Sequence, residues 1–183
     1  MTTTPVPTVV TYLEMKKAPT RLPPQPVGSP LALMRVEPMP LHFYRYLYST
    51  IGRDYYWVER LGIDDAELAG KIAGEGVEIS VLYGNGAPAG YFELDFSEMP
   101  GVSLVYFGLF KDWIGRGIGA WLLGCAISEA FSRSANLLKV NTCTFDHPSA
   151  LAFYQRMGFE PVGQENRVLN VPSNLLKAAN LPQ

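Results

Sequence analysis

The chain has 183 residues, about one domain on the usual scale of roughly 100 to 200 residues each. Hydrophobic residues make up 48% and charged residues 17%, enough apolar material for a packed core, which excludes global disorder. Fifteen Lys plus Arg against seventeen Asp plus Glu give a formal net charge of −2, so no broad basic surface awaits a nucleic-acid backbone.

Nine of the fifteen prolines fall within residues 1–40, which predicts a Pro-rich N-terminal arm with short strands at 9–15 and 31–36. LHFYRYLYSTIG then predicts a helix over 41–51 stopped by Gly52, and IDDAELAGKIAG a helix over 63–73, opened by aspartates and closed by Gly74 and Gly76. From Val77 the period changes: VEISVLYG, AGYFELDF and VSLVYFGLF read as three strands. The turn at Asn85-Gly86 makes the first pair a hairpin, and the short connection at Met99-Pro100-Gly101 makes the second pair antiparallel. GRGIGAWLLGCAISEAFSR keeps helical spacing through Ile118, Leu122, Cys125, Ala126 and Ala130, LLKVNTCTF alternates as a strand, HPSALAFYQRMGF is a short helix ending at Gly158, and PVGQENRVLN returns as a last strand.

No apolar run approaches the roughly 18 residues of a membrane-crossing helix, and the start MTTTPVPTVV lacks the basic and then apolar pattern of a secretory leader. A cytoplasmic protein with no membrane or nucleic-acid partner is expected. Cys125 and Cys143 have no metal-ligand spacing, and His42 and His147 are the only histidines; no metal site is expected, and both thiols read as reduced core residues.

The sharpest local feature is Gly115-Arg116-Gly117-Ile118-Gly119-Ala120 between a strand and a helix. Glycines there let the backbone turn tightly, and the free N–H groups of the helix's first turn favour an anion, most simply a phosphate. A P-loop would need Gly-Lys followed by Ser or Thr, and no such run exists. Gly115, Gly117 and Ala120 satisfy the dinucleotide spacing, but that fold opens with the strand before its glycines, whereas here several strands precede it in short antiparallel connections.

A third owner of such a turn binds acyl-coenzyme A. The run VYFGLFKDWIGRGIGAWLL resembles the GNAT superfamily of N-acetyltransferases through Gly117-Ile118-Gly119 and Leu122-Leu123. LKVNTCTFDHPSALAFYQRMGFEPVG is similar to the family's second block, with Ala150, Tyr154, Gly158 and Phe159 in place. The resemblance implies one domain over 1–183, with the arm at 1–40 and an acyl-coenzyme A-binding core at 77–163. It implies a mixed α/β sheet of about seven mostly antiparallel strands, with a splayed parallel pair and helices on both faces. Two departures stand out: Ile114 replaces the usual Arg or Gln, and His147 replaces a frequent Asn.

By the same resemblance the co-substrate is acetyl-coenzyme A and no metal is needed. Leu109, Phe110 and Lys111 would contact the acetyl-pantetheine end, with a backbone N–H of that stretch polarising the thioester carbonyl. Amides of Ile114, Gly115, Arg116, Gly117, Ile118, Gly119 and Ala120 would hold the pyrophosphate, so binding would survive the change at Ile114, either weakened or helped by Arg116. His147 would either bond the pantetheine arm or cap its helix. Tyr154 would be the general acid that returns a proton to the thiolate. Ser103 stands where some members carry a catalytic Glu, so Glu93, on the same strand face as Asp95, is the expected base, with Asp95 second. Tyr55, Trp57 and Glu59, between the first two helices, would line the acceptor pocket, or their rings would simply pack the two helices together, and Trp113 would cover the helix or the adenine. The expected activity is N-acetylation of a small primary amine by direct attack in a ternary complex. A protein or peptide amine is the alternative acceptor, a non-catalytic acyl-coenzyme A-binding module the alternative function, and a homodimer is compatible with the sequence.

Overall fold

The computed structural model describes residues 2–28 and 30–176. Its strands are β1 (Thr3–Met15), β2 (Leu31–Arg35), β3 (Val77–Gly84), β4 (Ala87–Asp95), β5 (Gly101–Leu109), β6 (Leu137–Cys143) and β7 (Glu160–Pro172), and its helices α1 (Leu41–Gly52), α2 (Asp65–Ile72), α3 (Ile118–Ser132) and α4 (Ala150–Arg156). The seven strands form one sheet in the order β2-β3-β4-β5-β6-β1-β7. All neighbours are antiparallel except β5 and β6. This is the mixed α/β architecture expected from the sequence. Asn85 and Gly86 both hold positive φ (52° and 83°) in the β3–β4 hairpin, the backbone of a type I′ turn.

β1 departs from the short arm strand expected at 9–15. It runs from Thr3 and lies inside the sheet, with Val10–Met15 on β6 and Thr3–Glu14 on β7. Pro5 and Pro7 are tolerated because they lie beyond the end of the β6 pairing. Being two residues apart, their missing N–H groups point the same way, away from β7, as does the N–H of Val9, which reaches Thr144 Oγ1 at 3.4 Å.

Period-two alternation gives the sheet two apolar faces. Ile79, Val81 and Tyr91 meet Tyr44, Leu47, Tyr48 and Ile51 of α1 and Leu68 and Ile72 of α2. Residues between them, Leu82, Phe92 and Leu94, meet Leu122, Leu123, Ala126 and Ile127 of α3 on the opposite face. Each such apolar side chain contributes about 1.5–3 kcal/mol on burial. The helix starts follow local chemistry: the Asp64 carboxylate accepts the Glu67 N–H at 2.8 Å, so α2 begins at Asp65 rather than at 63. Cys125 and Cys143 are free thiols.

Candidate active site

The parallel pair stays in register only from Gly101/Leu137 to Ser103/Lys139, and then the two strands part. On β5, Leu94 pairs with Leu104 but Glu93 with Tyr106, so Val105 is the extra residue of a β-bulge. Past the bulge, the Phe110 N–H donates to the Ala89 carbonyl at 2.9 Å. That bond fixes the alternation: Leu109 and Phe107 are the residues whose N–H and C=O turn away from β4 into the gap. On the far side, the Thr144 N–H donates to the Val9 carbonyl at 3.1 Å, and by the same alternation the Asn141 backbone turns toward β5. The gap opens into a cleft of about 1350 Å³ running through the sheet.

At one end of the cleft the chain leaves β5 through a single turn at Lys111–Trp113 and enters α3. Gly115 and Gly117 sit at φ 81° and 75°, a region L-residues avoid. Gly117 is the N-cap of α3 and no side chain caps that end, so the amides of Ile118, Gly119 and Ala120 have no acceptor within the helix. Ile118 is buried and fixes the first turn against the core. Gly117→Ala is expected to lose about 1–2 kcal/mol from the strained φ, read as a lower urea midpoint, since a Cβ there meets nothing within 4 Å.

Of the residues expected around this turn, Leu109, Ile114, Gly115, Gly117, Gly119 and Ala120 line the cleft. Phe110, Lys111, Arg116 and Ile118 do not form its lining. The Phe110 N–H is committed to Ala89, and the Ile114 N–H to the Lys111 carbonyl at 3.2 Å. The Arg116 guanidinium stands over the Trp113 ring, 5.1 Å from its centre. Trp113 itself packs on Gly84, where any Cβ would lie 2.1 Å from the indole.

Tyr154, on the α4 side of the sheet, points into the same cleft. Its ring is buried among Phe107, Phe153 and Phe159, and its hydroxyl has no hydrogen-bond partner among the described residues. Burial, and secondly the Asp146 carboxylate, push its pKa well above the usual tyrosine range. Asp146, which sequence reasoning passed over, accepts from Thr142 Oγ1 at 2.8 Å and from the Cys143 N–H at 2.9 Å, closing the turn after β6. His147 lies exposed at the mouth. Its Nδ1 accepts the N–H of Ser149, the N-cap residue of α4, at 3.3 Å, and its ring meets Tyr55 edge-on at 6.5 Å.

The opposite wall comes from the segment between α1 and α2. Trp57 sits in a notch cut by two glycines: a Cβ on Gly52 would lie 2.4 Å from Trp57, and one on Gly108 would lie 3.4 Å from its indole and 2.5 Å from Ile51. Its ring leans on Tyr48 and Tyr106 at 5.6 and 5.0 Å. The Tyr106 hydroxyl donates to Glu59 Oε2 at 3.0 Å. Tyr55, Trp57 and Glu59 all line the cleft, as does Asp95.

Glu93 does not line it. Its side chain is 1% exposed, and Arg60 grips both oxygens at 2.8 and 2.9 Å while the Tyr44 hydroxyl donates at 2.8 Å. Burial pushes the Glu93 carboxyl up, and Arg60 and Tyr44 pull it partly back. The group expected to be the base is thus held in an ion pair and borders a neighbouring cavity of about 580 Å³ rather than the cleft. Alternation predicts its strand face but not its partner, which comes from Arg60, 33 residues earlier.

Residues 41–159 match the family model described as the acetyltransferase (GNAT) family. Similar solved structures include a GCN5-related N-acetyltransferase from Sphaerobacter thermophilus (TM-score 0.63, 16% identity, 93% of this chain and 54% of that one). A second, from Kribbella flavida, has a TM-score of 0.60 at 16% identity over 94% of this chain and 61% of that one. An aminoglycoside acetyltransferase from an uncultured soil metagenomic sample has a TM-score of 0.56 at 18% identity, over 70% of this chain and 87% of that one. At these identities the likeness is one of fold. The chain spans 54% to 62% of the length of the first three solved structures it matches. No curated protein sequence matches it.

Proposed function

The chain belongs to the acetyltransferase (GNAT) family, and on that premise we propose that it is an acyltransferase that moves the acetyl group of acetyl-coenzyme A onto a primary amine of a small molecule, by direct attack in a ternary complex. The observation that carries the reading is the gap between β5 and β6, with the Phe107 and Leu109 backbone turned into it and the uncapped start of α3 at its end. The residues present fit the coenzyme. A peptide-like arm can pair with the unpaired edge of β5, and a pyrophosphate can take the first-turn amides of α3 and its positive dipole. Neither needs the side chain that Ile114 lacks.

Acetyl-coenzyme A supplies an activated acetyl thioester; the protein's part is to orient it, exclude water and move protons. A backbone N–H on the open edge of β5 polarises the carbonyl oxygen as charge develops. Tyr154, on the α4 side, holds its proton until a thiolate needs it. Tyr55 and Trp57 form the apolar part of the acceptor wall, and Glu59 offers it a charge.

The test is release of free thiol from acetyl-coenzyme A, with L-leucine, spermidine, tobramycin and a lysine-containing peptide as acceptors. Turnover with leucine, spermidine or tobramycin supports the reading. Turnover with the peptide alone replaces the small-molecule acceptor by a peptide amine; failure of all four removes the proposal, and a thermal shift by coenzyme A without turnover then leaves a non-catalytic acyl-coenzyme A-binding module.

A further inference from the structure

We propose that Glu59, oriented by Tyr106, is the catalytic base that takes the proton from the acceptor's ammonium; this rests on the transferase reading above. Tyr106 and Phe107 are consecutive on β5 and so face opposite sides of the sheet. Phe107 packs against Phe153 and Tyr154 of α4, whereas Tyr106 packs against Tyr48 of α1 and against Trp57. A thioester lying in the gap beside them therefore meets Tyr154 from one face and Glu59 from the other. That is the separation an acyl transfer needs, with the nucleophile entering on one side and the thiolate protonated on the other.

Glu59 is exposed to the cleft and also borders a second cavity of about 580 Å³, which it shares with Asp95, Val105 and Tyr106. The bulge at Val105 is what turns Tyr106 to this junction. Tyr106 is locked in place: Arg60 stacks on its ring at 4.7 Å while binding Glu93 through both guanidinium ends. Burial first, then Tyr48 and Glu59, push the Tyr106 pKa well above the ordinary range, so its hydroxyl remains a donor and keeps the Glu59 carboxylate aimed. Glu93, Arg60 and Tyr106 are then positioning residues for Glu59. The charged and titratable groups around Glu59 are Tyr106 of β5, Tyr48 of α1, its neighbour Arg60, Arg167 of β7, whose guanidinium is held up first by Glu165, then by Tyr12, and across the groove by Glu59, and, around the second cavity, Glu93 and Asp95 of β4, Glu67 and Lys71 of α2, and Glu75.

Glu59 takes one proton from the incoming ammonium, the amine nitrogen bonds to the acyl carbon, and the carbon–sulfur bond breaks. Tyr154 protonates the sulfur and recovers its proton through water from the new amide nitrogen. Glu59 returns its proton to solvent, so one proton is released per turnover.

The experiment compares wild type, Glu59→Gln and Tyr106→Phe with whichever of leucine, spermidine, tobramycin and the lysine peptide is turned over. Glu59→Gln is expected to lose about 10² or more in kcat/KM for the amine at neutral pH, with a deficit that shrinks as pH rises and the amine deprotonates unaided. Tyr106→Phe, which keeps the ring, loses less. The thermal shift by coenzyme A stays unchanged in both, and calorimetry shows weaker amine binding to the Glu59→Gln protein in the presence of coenzyme A. Wild-type turnover with both variants within twofold overturns the base while leaving the transferase reading intact, as does a Glu59→Gln deficit that does not vary with pH. Turnover of none of the four amines overturns both.

Discussion

In Tyr154→Phe, kcat falls by about 10² or more, while the KM for acetyl-coenzyme A and the melting temperature stay near wild type. The hydroxyl bonds to none of the described residues, so its removal strands no partner, and the ring contacts to Phe107, Phe153 and Phe159 survive in phenylalanine. What is lost is a proton held tightly by burial and by the neighbouring Asp146 carboxylate, released only when a stronger base, a forming thiolate, stands beside it. Steady-state kinetics with the amine identified by thiol release, alongside a coenzyme A thermal shift, decides the matter. An unchanged kcat removes Tyr154 from the mechanism.

The second large effect concerns stability. Glu93→Ala is expected to cost about 3–5 kcal/mol, because it leaves the Arg60 guanidinium, only 10% exposed, without its carboxylate, and strips the Tyr44 hydroxyl of its acceptor. The double change Arg60→Leu/Glu93→Leu should cost much less, since neither charge then remains buried and the apolar neighbours accept the replacements. Urea unfolding of Arg60→Leu, Glu93→Leu and the double variant reads this directly. Additive losses would mean that the pair is not coupled. Because Arg60 also stacks on Tyr106, the double variant is expected to keep its fold and still turn over amine poorly.

Local chemistry was legible in the sequence wherever it is carried by neighbours along the chain. Asn85-Gly86 announces its own turn, the strands at 77–84, 89–96 and 102–110 reappear as β3, β4 and β5 within two residues at each end, and the two glycine-bounded blocks locate the cleft. What remained hidden is set by partners far apart in sequence. The pattern of 9–15 predicts a strand but cannot say that it lies between β6 and β7. That Phe107 rather than Phe110 offers its backbone to the cleft depends on one bond, Phe110 to Ala89, and on the bulge at Val105. For Glu93 a strand pattern gives a face and not the Arg60 that grips its carboxylate from 33 residues earlier. Asp146 is one aspartate in a loop, and only the folded turn brings Thr142 and the Cys143 amide to its oxygens.

The position of β1 bears on how the protein is made. Thr8 meets Thr144 across 136 residues of chain, and Ser173 reaches back to Thr2 across 171. On the ribosome, β1 emerges long before either neighbour exists, so the sheet can grow from β2 to β5 cotranslationally while β1 waits unpaired. One wall of the cleft is therefore assembled last, by a strand that must slot between two others, a non-local step that topology makes slow. The two prolines at its exposed end make it a poor template for pairing with other chains during that wait.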